Sequence, residues 1–217
     1  MADDALPLAD VTVVDLTQVI AGPFATMNFG DLGAEVIKVE AVGRGDRSRG
    51  IEPIPAYFDA MNRNKRSIAV DLKTDEGTQV VRDLVADADV LIESMKPGRP
   101  EAFGLSYDDL REVNPDLIYC SISGFGRNSP YENLPAWDLL VQAMSGIMSI
   151  TGTEDGPPLW SGFPSGDLMA AMFASQSVLA ALYARERGVI DTEWIEVPML
   201  DAAVAALTAR AGHTFGT

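Results

Sequence analysis

Asp167 stands between a turn-forming loop, Ser161-Gly-Phe-Pro-Ser-Gly166, and a long run of helix formers from Leu168 to Arg187. A carboxylate there faces free backbone amides and the positive end of a helix dipole. Two roles fit. It caps the helix, or it stands bare as a nucleophile towards an activated acyl group. Gly162, Pro164, Ser165 and Gly166 leave space around it, and Gly166 allows a ligand or another backbone to approach closely. Spacing alone leaves both roles open.

Charge is concentrated elsewhere too. Arg44, Arg47, Arg49, Arg63, Lys65 and Arg66 put six of the chain's 16 cations between residues 44 and 66. They can pair locally with Asp46, Glu52, Asp59 and other carboxylates, but exposed pairs contribute little and need not cluster, so a phosphate-binding patch is the better expectation. Lys96-Pro-Gly-Arg99 adds a second basic turn. The segment Gly43-Arg-Gly-Asp-Arg-Ser-Arg-Gly50 is not a GxGxxG fingerprint, and no Walker lysine motif is present, so a plain dinucleotide or ATP site is not expected. No Cys, His, Asp and Glu spacing suggests a metal, no Gly-x-Ser-x-Gly turn suggests a serine nucleophile, and the lone His213 reads as a surface or packing residue. Asp138, after Trp137, reads as a cap for its own helix.

The elements that must position these groups alternate. Strands are expected at 11–16, 34–40, 67–72, 90–94, 117–123 and 194–197. Helices are expected from Ala21 to Gly33, from Thr74 to Asp87, after Ser106, over 138–150, over 168–187 and over 199–210. The helix from Leu168 would be about 30 Å long, and apolar side chains on nearly every face predict that it is buried. The pattern is α/β, a doubly wound and mostly parallel sheet. Loops 17–22, 41–66, 94–104 and 124–137 all leave from the carboxyl ends of strands, where such sheets bind ligands.

Composition narrows the setting. The 217 residues are 47% hydrophobic, enough for one sizeable core and a small second lobe. A net charge of −16 repels nucleic acid and anionic membranes and suits a high-salt interior. No run of about 18 uncharged apolar residues reads as a span, and Met-Ala-Asp-Asp is unlike a signal peptide. The single Cys120, in an apolar run, fits a buried thiol in a reducing cytoplasm.

Several stretches in order and spacing resemble the class III CoA-transferase family, which includes α-methylacyl-CoA racemases. They are Asp15-Leu-Thr-Gln-Val-Ile-Ala-Gly-Pro23, Gly33-Ala-Glu-Val-Ile-Lys-Val-Glu40, Gly45-Asp-Arg-Ser-Arg-Gly50, Asn62-Arg-Asn-Lys-Arg-Ser-Ile-Ala-Val-Asp-Leu-Lys73, Ala88-Asp-Val-Leu-Ile-Glu93, Ser123-Gly-Phe-Gly126 and Gly166-Asp167. The resemblance implies a Rossmann-like large domain, of which residues 1–217 are the N-terminal part, and a smaller domain beyond Thr217. It implies that Asp167 attacks an acyl-CoA thioester, with neighbouring helix amides receiving the oxyanion. It implies CoA contacts at Ile20 and Ala21, at Val70, Asp71, Leu72 and Lys73, at Ser94, Met95 and Lys96, and at Pro135, Ala136, Trp137 and Asp138. Arginines of the formyl-CoA branch fall at Ala41 and Ala102, with Arg44 and Arg99 as nearby substitutes. That branch has Gln where this chain has Ile20, so formyl/oxalate specificity is not expected. The racemase branch has an acid/base His at the position of Trp137, which cannot shuttle a proton.

The resemblance thus implies transfer of CoA from an acyl-CoA donor to a small, for instance dicarboxylic, acid by an interlocked homodimer, without metal. Racemisation or epimerisation of an acyl-CoA is the second reading. A non-catalytic CoA-binding or assembly module is the third.

Overall fold

Six short runs rich in β-branched and other apolar side chains become the strands of one sheet. The computed structural model describes residues 6–50 and 57–216. The strands are β1 (Thr12–Leu16), β2 (Glu35–Ala41), β3 (Lys65–Val70), β4 (Val90–Glu93), β5 (Ile118–Ser123) and β6 (Glu193–Pro198). All pairings are parallel, in the order β3-β2-β1-β4-β5-β6. The chain winds outward one way from β1 and the other way from β4. Their boundary is the switch point, where loops diverge and open a crevice at the carboxyl ends.

Parallel sheets need both faces covered, and the strand pleat shows it. Val13, Val36, Val90, Ile92, Ile118 and Cys120 point to one side, where α1 (Ala21–Asp31), α7 (Ser165–Glu186) and α8 (Met199–Ala206) pack. Val14, Leu16, Val39, Leu91 and Tyr119 point to the other, towards α3 (Asp75–Ala86) and α5 (Tyr107–Arg111). Each of these fully buried Val or Leu side chains contributes about 1.5–3 kcal/mol. The remaining helices are α2 (Tyr57–Asn62), α4 (Arg99–Ala102), α6 (Asp138–Ser145) and α9 (Thr208–Phe215).

Local chemistry sets most boundaries. Thr74 caps α3 by accepting from the Gly77 amide, and Ser106 with Asp109 forms a full capping box on α5. Two expected helices are broken. The one over 138–150 stops at Gly146, whose φ of 93° ends α6 before a 3-10 turn at Ile147–Ile150. The one over 199–210 breaks at Leu207 into α8 and α9. The short helices α2 and α4 were not expected.

The long helix α7 also departs from the expectation of burial on nearly every face. Its buried stripe is small, comprising Gly166, Ala170, Ala171, Ala174, Ser175, Val178 and Ala181. The stripe lets α1 come close enough for Asn28 Nδ2 to donate to Ser175 Oγ at 3.3 Å. Met172, Phe173 and Tyr183 lie on the exposed side. By length and composition alone this helix is long and apolar enough to cross a membrane. Here its small-residue stripe packs on α1, α8, β5 and β6, and about 33% of the apolar stretch is buried.

Candidate active site

The carboxyl ends of β1, β2, β4 and β5 surround a cavity of about 1290 Å³, larger than the roughly 300–1,000 Å³ of most small-ligand sites. The residues that the family resemblance singled out line it: Ile20, Ala21, Arg44, Val70, Asp71, Leu72, Lys73, Ser94, Met95, Lys96, Arg99, Pro135, Ala136, Trp137, Asp138 and Asp167. A second hollow, of about 660 Å³, lies by Arg127, Trp194 and Glu196. Its cation, Arg127, is already paired with Glu101.

The β1 side of the cavity is shaped by buried charge. Lys65 Nζ donates to Asp15 Oδ2 at 3.0 Å, and Lys38 Nζ sits 3.0 Å from Asp46 Oδ2 and donates to the Thr17 carbonyl at 2.9 Å. Asp15 also accepts from the Thr17 amide and hydroxyl and from Thr26. Burial would raise its pKa, but the Lys38 and Lys65 charges and the Thr17 bonds outweigh burial and hold it well below the usual carboxylate range. Asp46 Oδ1 accepts from the amide of Val19, which stands at φ 71°. A β-branched residue in the left-handed region is strained and persists only where its surroundings enforce it. This strained turn delivers Ile20 and Ala21 to the cavity wall.

The opposite wall depends on a close approach. A Cβ on Gly124 would lie 2.1 Å from that of Ala136, so only glycine lets the 135–138 segment lie against the end of β5. At the end of β4, Glu93 accepts from the Met95 amide at 2.6 Å and shapes the turn bearing Ser94 and Lys96. Burial pushes its carboxyl up to about 7, against bonds from Ser121 and Met95.

The expected basic patch is smaller than the sequence suggested. Arg49 is paired with Glu40, Arg63 with Asp31, Arg66 with Glu35 and Lys65 with Asp15. Four of the six cations are therefore paired, with carboxylates 9 to 50 residues earlier in the chain rather than with the neighbouring Asp46, Glu52 and Asp59. Asp46 takes part through Lys38, and Glu52 lies outside the described residues. Arg44 and Arg47 remain on the cavity wall with Lys73, Lys96 and Arg99. Among the described residues, no group of three or more His, Cys, Asp or Glu is placed to hold a metal.

Asp167 is not a cap. Helix α7 starts at Ser165, with Pro164 in the capping position, so Asp167 sits in the first turn. Its carboxylate is half-buried and accepts no hydrogen bond from the described residues. Burial, and then the charge of Asp138, pushes it up to about 7. Asp138, expected to cap its own helix, bonds across to α7 instead: its Oδ1 accepts from the Gly166 amide at 2.8 Å and the Asp167 amide at 3.3 Å. The Ser165 and Leu168 amides bond to Phe163 and Pro164 carbonyls. The helix amides beside Asp167 are therefore occupied, which corrects the expectation that they would receive an oxyanion. By contrast, α1 starts at the cavity with no side-chain cap on its first amides.

Two neighbours escaped the sequence reading. Tyr57, on α2, lies close enough to Asp167 and Asp138 for both charges to act on its phenol; burial, then these charges, raises its pKa. Gln142, on α6, is fully buried and ties the 161–165 loop in place. A Tyr inside a basic segment, or a Gln inside an amphipathic helix, gives no local sign of its partner.

Comparison with known proteins decides the family. Residues 8–217 match the model of CoA-transferase family III. The chain belongs to CoA-transferase family III. A succinyl-CoA:glutarate CoA-transferase from Mus musculus is 44% identical over 97% of this chain and 49% of its own length. A succinyl-CoA:mesaconate CoA-transferase from Haloarcula hispanica is 43% identical over 91% of this chain and 53% of its own. The solved structure of a CAIB/BAIF family protein from Brucella suis superposes with a TM-score of 0.95 at 38% identity, covering 99% of this chain and 58% of that one. The chain thus spans about half the length of the curated relatives it matches.

Proposed function

We propose that the protein transfers CoA between carboxylic acids, with Asp167 as nucleophile. The observation carrying this reading is a carboxylate that accepts no hydrogen bond from the described residues, at the wall of the cavity where the implied CoA-contact positions meet. A pKa near 7 keeps a useful ionised fraction at neutral pH while the anion stays poorly solvated and reactive.

In this mechanism the Asp167 carboxylate attacks the donor thioester carbonyl. The C–S bond breaks, leaving an aspartyl mixed anhydride and the CoA thiolate. The thiolate attacks the aspartyl carbonyl, releases the donor carboxylate and leaves an aspartyl-CoA thioester. The acceptor carboxylate attacks that thioester, expelling the thiolate, which then takes the acceptor acyl group and frees Asp167. Arg44, Arg47, Lys73, Lys96 and Arg99 supply positive charge on the wall for the CoA phosphates. The uncapped start of α1 offers amides to a developing oxyanion.

The names of the succinyl-CoA:glutarate and succinyl-CoA:mesaconate relatives support succinyl-CoA as donor and a dicarboxylate as acceptor. In this reading residues 1–217 belong to the large CoA-binding domain, the smaller domain lies outside them, and the protein works as a homodimer. The net charge of −16 and the buried thiol of Cys120 support a reducing, salt-rich cytoplasm. The test follows CoA transfer from succinyl-CoA to a panel of dicarboxylates by chromatography. Asp167→Ala is expected to abolish transfer while CoA ester binding persists; transfer at the wild-type rate would reject the mechanism.

A further inference from the structure

Asp138 opens α6, yet its side chain serves another helix. Its Oδ1 bridges the amides of Gly166 and Asp167, and its Oδ2 accepts from Gln142 Nε2 at 2.5 Å. Gln142 has no exposed surface, and its amide is fully used at the same place. Its Nε2 also donates to the Phe163 carbonyl at 3.1 Å, and its Oε1 accepts from the Ser161 amide at 2.9 Å. One turn of α6 therefore fixes both the loop before α7 and the first turn of α7.

We propose that Asp138 is a positioning residue for Asp167: braced by Gln142, it holds the first turn of α7 so that the Asp167 carboxylate faces the cavity with no hydrogen bond from the described residues. This rests on the reading of Asp167 as nucleophile and replaces a substrate-contact role for the Asp138 side chain. The carboxylate that occupies the α7 amides leaves Asp167 no backbone donor to turn back upon. It also adds charge. Among the described residues, the groups whose ionisation is linked to Asp167 are Asp138, on α6, and Tyr57, on α2. The phenol is neutral, so Asp138 is the charge that opposes ionisation of Asp167.

A contact to substrate and a brace for the nucleophile separate in kinetics: the first acts on KM and the second on kcat. The experiment compares the intact protein with Asp138→Asn, Asp138→Leu and Asp167→Asn. It reads the Asp167 carboxyl titration by carbon NMR, assigned from the Asp167→Asn spectrum, together with kcat and KM for succinyl-CoA against pH. Asp138→Asn keeps an acceptor oxygen but loses the charge. The Asp167 midpoint is expected to fall by about one pH unit, and the acid limb of kcat/KM to move with it. Asp138→Leu leaves the α7 amides unpartnered, and kcat is expected to fall about 100-fold with KM within about twofold of wild type. An Asp167 midpoint unmoved in Asp138→Asn, a wild-type kcat in Asp138→Leu, or a loss confined to KM would overturn the proposal. If Asp138→Leu does not fold, the Asp138→Asn titration decides. Transfer that survives in Asp167→Asn would reject the nucleophile reading instead, and the titration still judges the coupling between the two carboxylates.

Discussion

Asp167→Asn is expected to stabilise the fold above pH 7 and to leave it unchanged near pH 4. In the folded protein the Asp167 carboxyl is raised from 3.8 to about 7. Between those values the native state holds a proton that the unfolded chain has released, so stability falls as pH rises. The contribution is fully present below the unfolded value and is lost as pH passes the folded one. At about 1.36 kcal/mol per pH unit, the difference sets an upper bound of about 4 kcal/mol. Asp167 is only half-buried, so solvent screening discounts this to about 2 kcal/mol. Asparagine does not titrate and so escapes the loss. For a chain of this size, about 2 kcal/mol corresponds to a gain of roughly 4–8 °C in Tm at pH 8. Glu93, also raised, and Asp15 and Glu40, both lowered, are common to the two proteins and cancel in the difference. The assay is thermal unfolding of both proteins at pH 4, 6 and 8. A difference that is absent at pH 8, or that does not vary with pH, would refute the claim that the fold holds Asp167 against its ionisation. The gain in stability would come with loss of transfer, as expected for a residue kept for chemistry.

Three further outcomes follow from the structure. Alanine at Gly166 adds about 1 kcal/mol of helix propensity, but its Cβ would lie 2.9 Å from Val141 Cγ1 and 3.1 Å from Asp138 Oδ1. Transfer kcat is expected to fall about tenfold with unchanged circular dichroism; an unchanged kcat would contradict the close packing of α6 on α7. Lys65→Met removes a partner of the buried Asp15 carboxylate, and urea unfolding is expected to show a loss of about 3–5 kcal/mol. A loss of less than about 1 kcal/mol would mean that Lys38, 3.7 Å away, suffices alone. Burial, then Glu93, pushes the Cys120 thiol far above its usual range, so iodoacetamide at pH 8 is expected to label it only after denaturation. Rapid labelling of the native protein would show that the β5 face is open.

The parallel sheet was legible because its strands are short apolar runs alternating with helices; its strand order was not, because the same alternation fits more than one winding. The cavity was legible because loops at strand ends and the stretches of family resemblance both pointed to it. What escaped the sequence reading depends on partners distant in the chain. Nothing near Asp138 reveals that its oxygen bonds to an amide 28 residues on, and nothing near Lys65 names Asp15, 50 residues earlier. The cluster at 44–66 looked like a phosphate patch because sequence shows which charges are close, not which carboxylates fold against them. Helix α7 looked buried all round because composition averages over its faces, whereas packing used only the Ala, Gly, Ser and Val stripe. The strain at Val19 had no sign at all, since a β-branched residue is the last expected at positive φ.

The central claim is that the Asp167 side chain becomes acylated during turnover. Hydroxylamine added to the protein turning over succinyl-CoA, followed by mass mapping of the peptides, tests it most directly. A hydroxamate on the peptide containing Asp167, formed only with substrate and absent in Asp167→Asn, is the expected result. Continued turnover with that peptide unmodified, or a label on another carboxylate, would contradict the assignment of Asp167 as nucleophile.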